Sequence, residues 1–433
     1  WPKSAIDPHC RSMRSDLNGL RLRTREMSHS KSPVSPSGPL ARIDWTPTRA
    51  AGLSRLNAFI SNAGRAYARD RNMDRGPADR SNVSALSPWI RRRLVTEDEV
   101  IAAVLRRHDF AAAEKFIQEV YWRSYWKGWL EMRPSMLVRF ETECKALQET
   151  FSGDRGLQLA VEGRTGIDCF DAWAHELSET GWLHNHARMW FASIWIFTLR
   201  LPWQLGADFF YKNLLDADPA SNTLSWRWVA GLHTQGKHYL ARASNIRENT
   251  QGRFDPTGRL NEHAAPLTED HPPSPPAPLP KGDSALTSRV AVLLTEEDLH
   301  SESWNLEADV VGCACLKRSK VATVEGPAAR FCEGALEDGL RRADGHFGSS
   351  GEHIAPEDVA HWALQCGVTE VVTAFAPAGP IARVLDDLQQ ELARDRIRLV
   401  RVQRPFDART WPHAKAGFFK LREKIPQLIA DAP

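Results

Sequence analysis

Seven prolines fall between residues 266 and 280, and neither helix nor sheet propagates through so many missing N–H donors. This segment separates two stretches whose apolar residues repeat with different periods. Before it, from about residue 45 to 260, apolar positions recur at helical spacing. Thr96-Glu97-Asp98-Glu99 reads as a capping box ahead of Val100, Ile101, Val104 and Leu105. Residues 110–130 and 171–177 carry further helical stripes, the second closed near Gly181. Residues 185–201 are almost wholly apolar, as expected of a helix running through a core. Beyond the prolines, 289–295, 309–313, 368–375 and 397–402 are apolar runs of strand length, with helical patterns at 356–366 and 380–394. That alternation predicts a parallel sheet with crossover helices. The expected organisation is a disordered basic arm over 1–42, an α-helical domain over 43–263, a proline-rich linker over 264–286 and an α/β Rossmann-like domain over 287–433.

Net charge is only +2, so a nucleic-acid partner would have to be met by a local basic patch. No run reaches the roughly 18 apolar residues of a membrane span, and no membrane association is expected. The seven cysteines are scattered without a Cys-x-x-Cys pair, which predicts reduced thiols, a cytoplasmic setting and no metal site. Tryptophan outnumbers tyrosine, 16 to 5. So many indoles offer stacking surface and oxidisable groups, and they raise flavin chemistry or base stacking beside plain core filling.

Three segments concentrate polar groups in this apolar setting. Tyr67 to Arg71 is followed by Val83-Ser84-Ala85-Leu86-Ser87-Pro88-Trp89, a turn before a helix whose free N–H groups suit a phosphate. Next, Phe116-Ile-Gln-Glu119-Val-Tyr-Trp122-Arg123 presents a carboxylate, an indole and a guanidinium on one helix face. The densest is His184-Asn185-His186-Ala187-Arg188-Met189, followed by Asp216-Ala-Asp218-Pro-Ala-Ser-Asn222 and Trp226-Arg-Trp228. Arginine and asparagine so placed are costly to bury without partners, and Asp216 and Asp218 are available anions. Gly231 to His238 approaches a phosphate-binding loop but lacks its Ser/Thr and its preceding strand. His184-Asn185-His186 has nuclease lettering without further metal ligands.

In this order, the segments resemble the FAD-binding region of photolyases and cryptochromes. The family's Thr-Ser-x-Leu-Ser-Pro pattern is met by Val83 to Pro88, with Val for Thr, and its Glu-Leu-x-Trp-Arg by Glu119 to Arg123, with Val for Leu. His-Asn-x-x-Arg-Met is met by His184 to Met189, and the long acidic-to-Trp pattern by Asp216 to Trp228 at every fixed position. The resemblance implies a bent FAD, with phosphates near Tyr67, Ser84, Leu86 and Ser87. Its ring system would lie near Asn185, Arg188, Asp216, Asp218 and Asn222, with Phe116, Glu119 and Arg123 also in the cofactor site. Asp216 is expected to fix the Arg188 guanidinium, and Asn222 to face flavin N5.

For activity, the resemblance implies a deoxyribodipyrimidine photo-lyase acting on damaged DNA, in which Glu119, Trp122, Met189 and Trp228 receive a pyrimidine dimer. Met189 stands where (6-4) photolyases carry His, which favours cyclobutane dimers. Trp226 and Trp203 match the proximal and middle members of the family's electron-transfer chain. The distal position reads Glu149-Thr150-Phe151 and holds no Trp, which leaves Trp173, Trp190 or Trp195 as another exit. His186 replaces a basic residue, and the α/β part follows the helical part instead of preceding it. Residues 289–420 loosely resemble the family's antenna domain in a permuted or relocated version, the alternative being an unrelated α/β module attached through the proline linker, with no antenna chromophore assignable. These departures keep an alternative open: a blue-light photoreceptor that binds FAD and acts through a signalling protein partner.

Overall fold

The computed structural model describes residues 43–283, 287–317 and 326–432. The basic arm expected over 1–42 lies outside the described residues.

The capping box forms as expected: Thr96 N donates to Glu99 Oε2 at 2.8 Å and Glu99 N to Thr96 Oγ1 at 3.4 Å, opening the helix Glu97–Leu105. The helix Phe110–Glu131 begins where the Asp109 carboxylate accepts from Ala112 N at 2.7 Å. Its residues Tyr121, Tyr125, Trp126, Gly128 and Trp129 are buried on several faces, so it is a core helix. Gly181, at φ 67°, closes the helix Asp168–Thr180 in the left-handed conformation that terminates helices. The apolar stretch 185–201 is α-helical only over Asn185–Ser193 and widens to a π turn over Ile194–Thr198. Pro202 follows and cannot supply the next N–H donor, so the regular ladder ends there. The helices Trp203–Asn213 and Ser221–Ala230 complete the packing around it.

The proline-rich stretch forms neither helix nor strand and is strapped to the helical part. Leu267 N donates to Ala230 O at 3.0 Å, Ala277 N to Met132 O at 2.9 Å, and the Glu269 carboxylate pairs with Arg139 and Arg227.

Among the described residues five parallel strands follow, in the order β3-β2-β1-β4-β5: β1 Arg289–Leu294, β2 Asp309–Leu316, β3 Glu352–Ile354, β4 Glu370–Ala374 and β5 Arg398–Val402. Both faces are covered, as a parallel sheet requires. Val290, Val292, Leu294, Cys313 and Cys315 join the core of the helical part, whereas Ala291, Leu293, Ala314 and Leu316 pack with the helices Val359–Gln365 and Pro380–Arg394. The helix expected over 356–366 is a 3₁₀ turn, Pro356–Asp358, leading into the α-helix Val359–Gln365.

The strand order reverses at β1, the point where doubly wound sheets hold ligands beyond their carboxyl ends. Here the arginine run of the helical part fills that place. Arg91 pairs with Glu297, Arg92 with Glu296 and Arg93 with Asp407, all three guanidiniums buried, and Arg404 pairs with Asp298 at 2.5 Å. The space left beside Arg91, Glu297 and Cys332 is about 10 Å³, room for roughly one water.

Candidate functional site

A cavity of about 590 Å³ opens into the helical part, walled by residues of the 83–87 loop and of the helices Phe110–Glu131, Asn185–Ser193 and Ser221–Ala230. That volume lies within the usual range of cofactor sites.

One end is the loop. Arg55, buried beneath it, donates to Ser84 O and Val83 O at 2.8 Å each and to Arg80 O at 3.3 Å. Burial and the neighbouring Arg80 pull the Arg55 guanidinium down to about 10. The brace holds Ala85 at φ 53°, a left-handed conformation that costs a side chain about 1–2 kcal/mol. Ser84, Leu86, Ser87 and Tyr67 face the cavity here, beside the apolar Phe116 and Ile90.

The opposite wall is charged. Arg123 donates to Asp216 Oδ2 at 2.7 Å and to Asp218 Oδ2 at 2.5 Å, and Asn222 Nδ2 donates to Asp216 Oδ1 at 3.0 Å. Asp218 also accepts from Ala220 N and Ser221 N, fixing the start of the helix that carries Asn222. Burial opposes ionisation of both carboxyls. Arg123 and Arg188 nonetheless hold Asp216 below the ordinary carboxylate range, and Arg123, Lys127 and Arg91 do so for Asp218. Asp216 and Asn222 line the cavity, whereas Asp218 lies one layer behind Arg123.

The expected Arg188–Asp216 ion pair is corrected. Among the described residues Asp216 pairs with Arg123, while Arg188 lines the same cavity with its Nε donating to Leu183 O at 2.9 Å. Arg123 and Asn222 each bond one Asp216 oxygen, and Arg188 acts on that carboxylate through its field.

Glu119 faces the cavity with its carboxylate paired to Arg71. Burial pushes its pKa up, against the pull of Arg71. Arg71 closes the Tyr67 segment of the sequence; its position four residues after Tyr67, one helical turn on, was the available signal. Met189, Asn185 and Trp228 line the cavity, and Trp228 stacks on Tyr239 at 5.9 Å. His186 stacks on Trp190 at 4.0 Å and its ring nitrogens meet Asn72 O and Tyr239 Oη, so it is a wall residue. Burial lowers its pKa, despite the Asn72 carbonyl and Asp74. The His184 ring accepts from His186 N at 3.2 Å, and burial pulls its pKa down to about 4, which keeps it the neutral acceptor this cap needs.

Trp122 lines the cavity, and one face of its ring lies on Phe418, centroids 3.8 Å apart and planes 13° from parallel. Trp226 also lines it, with its Nε1 buried and unpartnered among the described residues and its ring 6.0 Å from Trp195. Trp203 lies away from the cavity, stacked on Phe140 at 5.8 Å and under the Arg227 guanidinium. Phe418 and the buried Arg91 contribute to this region without having been singled out in the sequence.

Residues 116–274 match the FAD binding domain of DNA photolyase. A deoxyribodipyrimidine photo-lyase of Vibrio cholerae is 28% identical over 222 residues, 50% of this chain and 47% of that protein. One from Thermus thermophilus is 32% identical over 232 residues, 53% of each. The solved structure of a class III photolyase from Agrobacterium tumefaciens is 24% identical, with a TM-score of 0.38 over 49% of this chain and 46% of that one. The chain spans about half the length of the curated relatives it matches.

The helical part is therefore an FAD-binding domain, followed by a doubly wound parallel sheet. Over that domain the chain is similar to photolyases and cryptochromes. The cavity suits FAD in chemistry as well as volume. It offers an apolar floor, Ser84 and Ser87 at the loop, the Trp226 Nε1 that has no partner among the described residues, and the Arg188 guanidinium.

Proposed function

We propose that this protein is a light-dependent repair enzyme, a deoxyribodipyrimidine photo-lyase that splits cyclobutane pyrimidine dimers in damaged DNA. Bound, reduced FAD would supply the light-excited electron that opens the dimer and then returns. Ser84, Leu86, Ser87, Tyr67 and Phe116 would hold its phosphate and adenosine portions, and Asn185, Arg188, Asp216 and Asn222 its ring system. Arg188 places a positive charge that favours an anionic ring. The Asn222 amide, oriented by Asp216, carries an oxygen and a second N–H besides that bond, so it can meet either protonation state of the facing nitrogen.

One observation supports repair most directly: Glu119, Trp122, Met189 and Trp228 share the cavity wall with Asn222 and Arg188. The Glu119 carboxylate, paired with Arg71, can accept a hydrogen bond from a pyrimidine N–H. The two indoles line the cavity and can contact an unstacked dimer, and unstacking costs least where the duplex is already damaged. The alternative, a blue-light photoreceptor that acts on a signalling protein, draws on the contacts those indoles already make with Phe418 and Tyr239.

The test is illumination of the reduced, FAD-loaded protein with dimer-containing single-stranded DNA. Repair predicts recovery of thymine absorbance. No recovery with FAD bound and reduced would leave the photoreceptor reading.

A further inference from the structure

The stretch from Trp411 to Lys424 follows the last strand yet reaches the wall of the FAD cavity. Trp411, Phe418, Leu421 and Ile425 are buried, which seats one face of the stretch on the protein. Phe418 lies flat on Trp122, Tyr125 Oη donates to Ala416 O at 2.8 Å, and an Arg133 N–H donates to Lys415 O at 2.9 Å. These contacts fix the backbone beside the cavity and leave the other face to solvent.

That outer face is basic and carries an aromatic ring. Residues 411–424 hold four cationic side chains, Lys415, Lys420, Arg422 and Lys424, against one acid, Glu423, in a chain whose 56 Lys and Arg nearly balance 54 Asp and Glu. Lys415 and Lys424 make no ion pair among the described residues, and Lys420 approaches Glu423 only at 3.5 Å with both side chains exposed. Phe419 is 65% exposed, the most exposed of the large apolar side chains among the described residues, with the Arg422 guanidinium 5.1 Å from its ring centre. A lone exposed Phe is unremarkable. A Phe–Arg platform within a run of exposed lysines is the combination that holds unstacked bases and their phosphates.

We propose that Lys415, Phe419, Lys420, Arg422 and Lys424 form a docking rim for a single strand of DNA, placed to hold the nucleotides flanking a base that enters the cavity past Trp122. The inference rests on the repair reading for its partner and adds a surface outside the helical part. The lysines meet phosphates, and Phe419 with Arg422 stacks a flanking base. Phe418, on the inner face, ties the rim to the indole at the cavity wall.

The test uses the full chain loaded with FAD, in the dark, and a labelled single-stranded oligonucleotide carrying one thymine dimer, with affinity read by fluorescence anisotropy across a salt series. Replacing Lys415, Lys420 and Lys424 together by Ala removes three phosphate contacts. This should weaken binding by about tenfold or more at low salt and lower the log–log salt slope by about 2. Phe419→Ala should weaken binding by about fivefold or more and leave that slope unchanged. All four positions are exposed, and retained flavin absorbance confirms folded protein. Variants that bind as tightly as the parent, with the same slope, would overturn the rim while the repair assay above still stood. A parent chain that binds no DNA would overturn both.

Discussion

Arg91 holds both carboxylate oxygens of Glu297, 2.6 Å on each arm, with neither side chain more than 3% exposed. The pair joins the helical part to the turn after β1. Arg91 Nε is also 3.8 Å from Asp218, whose carboxylate holds Arg123 and through it Asp216. An ionic chain thus runs from the sheet to the cavity wall. Replacing Glu297 by Ala strands a buried guanidinium, a loss of roughly 3–5 kcal/mol. Glu141→Ala, which removes an exposed partner of Arg383, should cost under about 1 kcal/mol. Urea melts of the two variants check this; equal losses would mean that the buried chain carries no special weight.

Much of this architecture was legible because local signals and tertiary packing agree. The capping box at Thr96, the stop at Gly181 and the buried runs of β1, β4 and β5 each appear where their residues predict. The helix Gly326–Phe347 went unread because it contains Gly334 and Gly339, poor helix formers. Packing explains them: a Cβ at Gly334 would lie 2.4 Å from Pro47 Cγ, and one at Gly339 2.9 Å from a Leu299 methyl. Strand β3, three residues long, pairs only with β2 and is too short to show a period. At the cavity, the ordered motifs named most of the wall. Which arginine reaches Asp216 depends on how two helices are rotated against each other, and spacing along the chain does not encode that. The Phe418–Trp122 stack joins residues nearly 300 positions apart, beyond any local pattern.

The indole contacts bear on photoreduction. Trp226 lines the cavity and touches Trp195 at 6.0 Å, whereas Trp203 is stacked on Phe140. Trp226→Phe should leave FAD bound and slow photoreduction of the oxidised flavin. Trp195→Phe should slow it more than Trp203→Phe does. Flash absorbance of the three variants checks the order, and a larger effect at Trp203 would return the path to that residue.

His233 makes stability depend on pH. Its ring lies 4.7 Å from Trp126 and 5.4 Å from Trp129, with a nitrogen 2.7 Å from Tyr125 Oη, and burial, then Arg227 and Arg133, pull its pKa down to about 4. The unfolded chain takes up this proton near pH 6.5 and the folded chain only near 4. The contribution of neutral His233 is therefore fully present above about pH 6.5 and is lost as pH falls towards 4, by up to about 3 kcal/mol. Below 4 the loss levels off. His233→Gln should remove this component, so its melting temperature should fall less steeply than the parent's between pH 6.5 and 4. Parallel profiles would assign the acid sensitivity to other groups.

Two glycines in helices should respond to alanine with opposite signs. A Cβ on Gly128 would sit 2.9 Å from the Trp411 Cα, a backbone atom that cannot swing aside. The turn Trp411–His413 would have to retreat, and with it the segment that brings Phe418 onto Trp122. Alanine gains about 1 kcal/mol of helix propensity over glycine, against a strain of about 1–3 kcal/mol for overpacking a close contact. Gly128→Ala should therefore be net destabilising and should alter Trp122 fluorescence. Gly345, in the helix Gly326–Phe347, has nothing within 4 Å of such a Cβ, and no left-handed φ, so Gly345→Ala should stabilise by about 0.5–1 kcal/mol. Denaturant midpoints that move the same way for both would show that the Trp411 contact does not limit the approach of these elements.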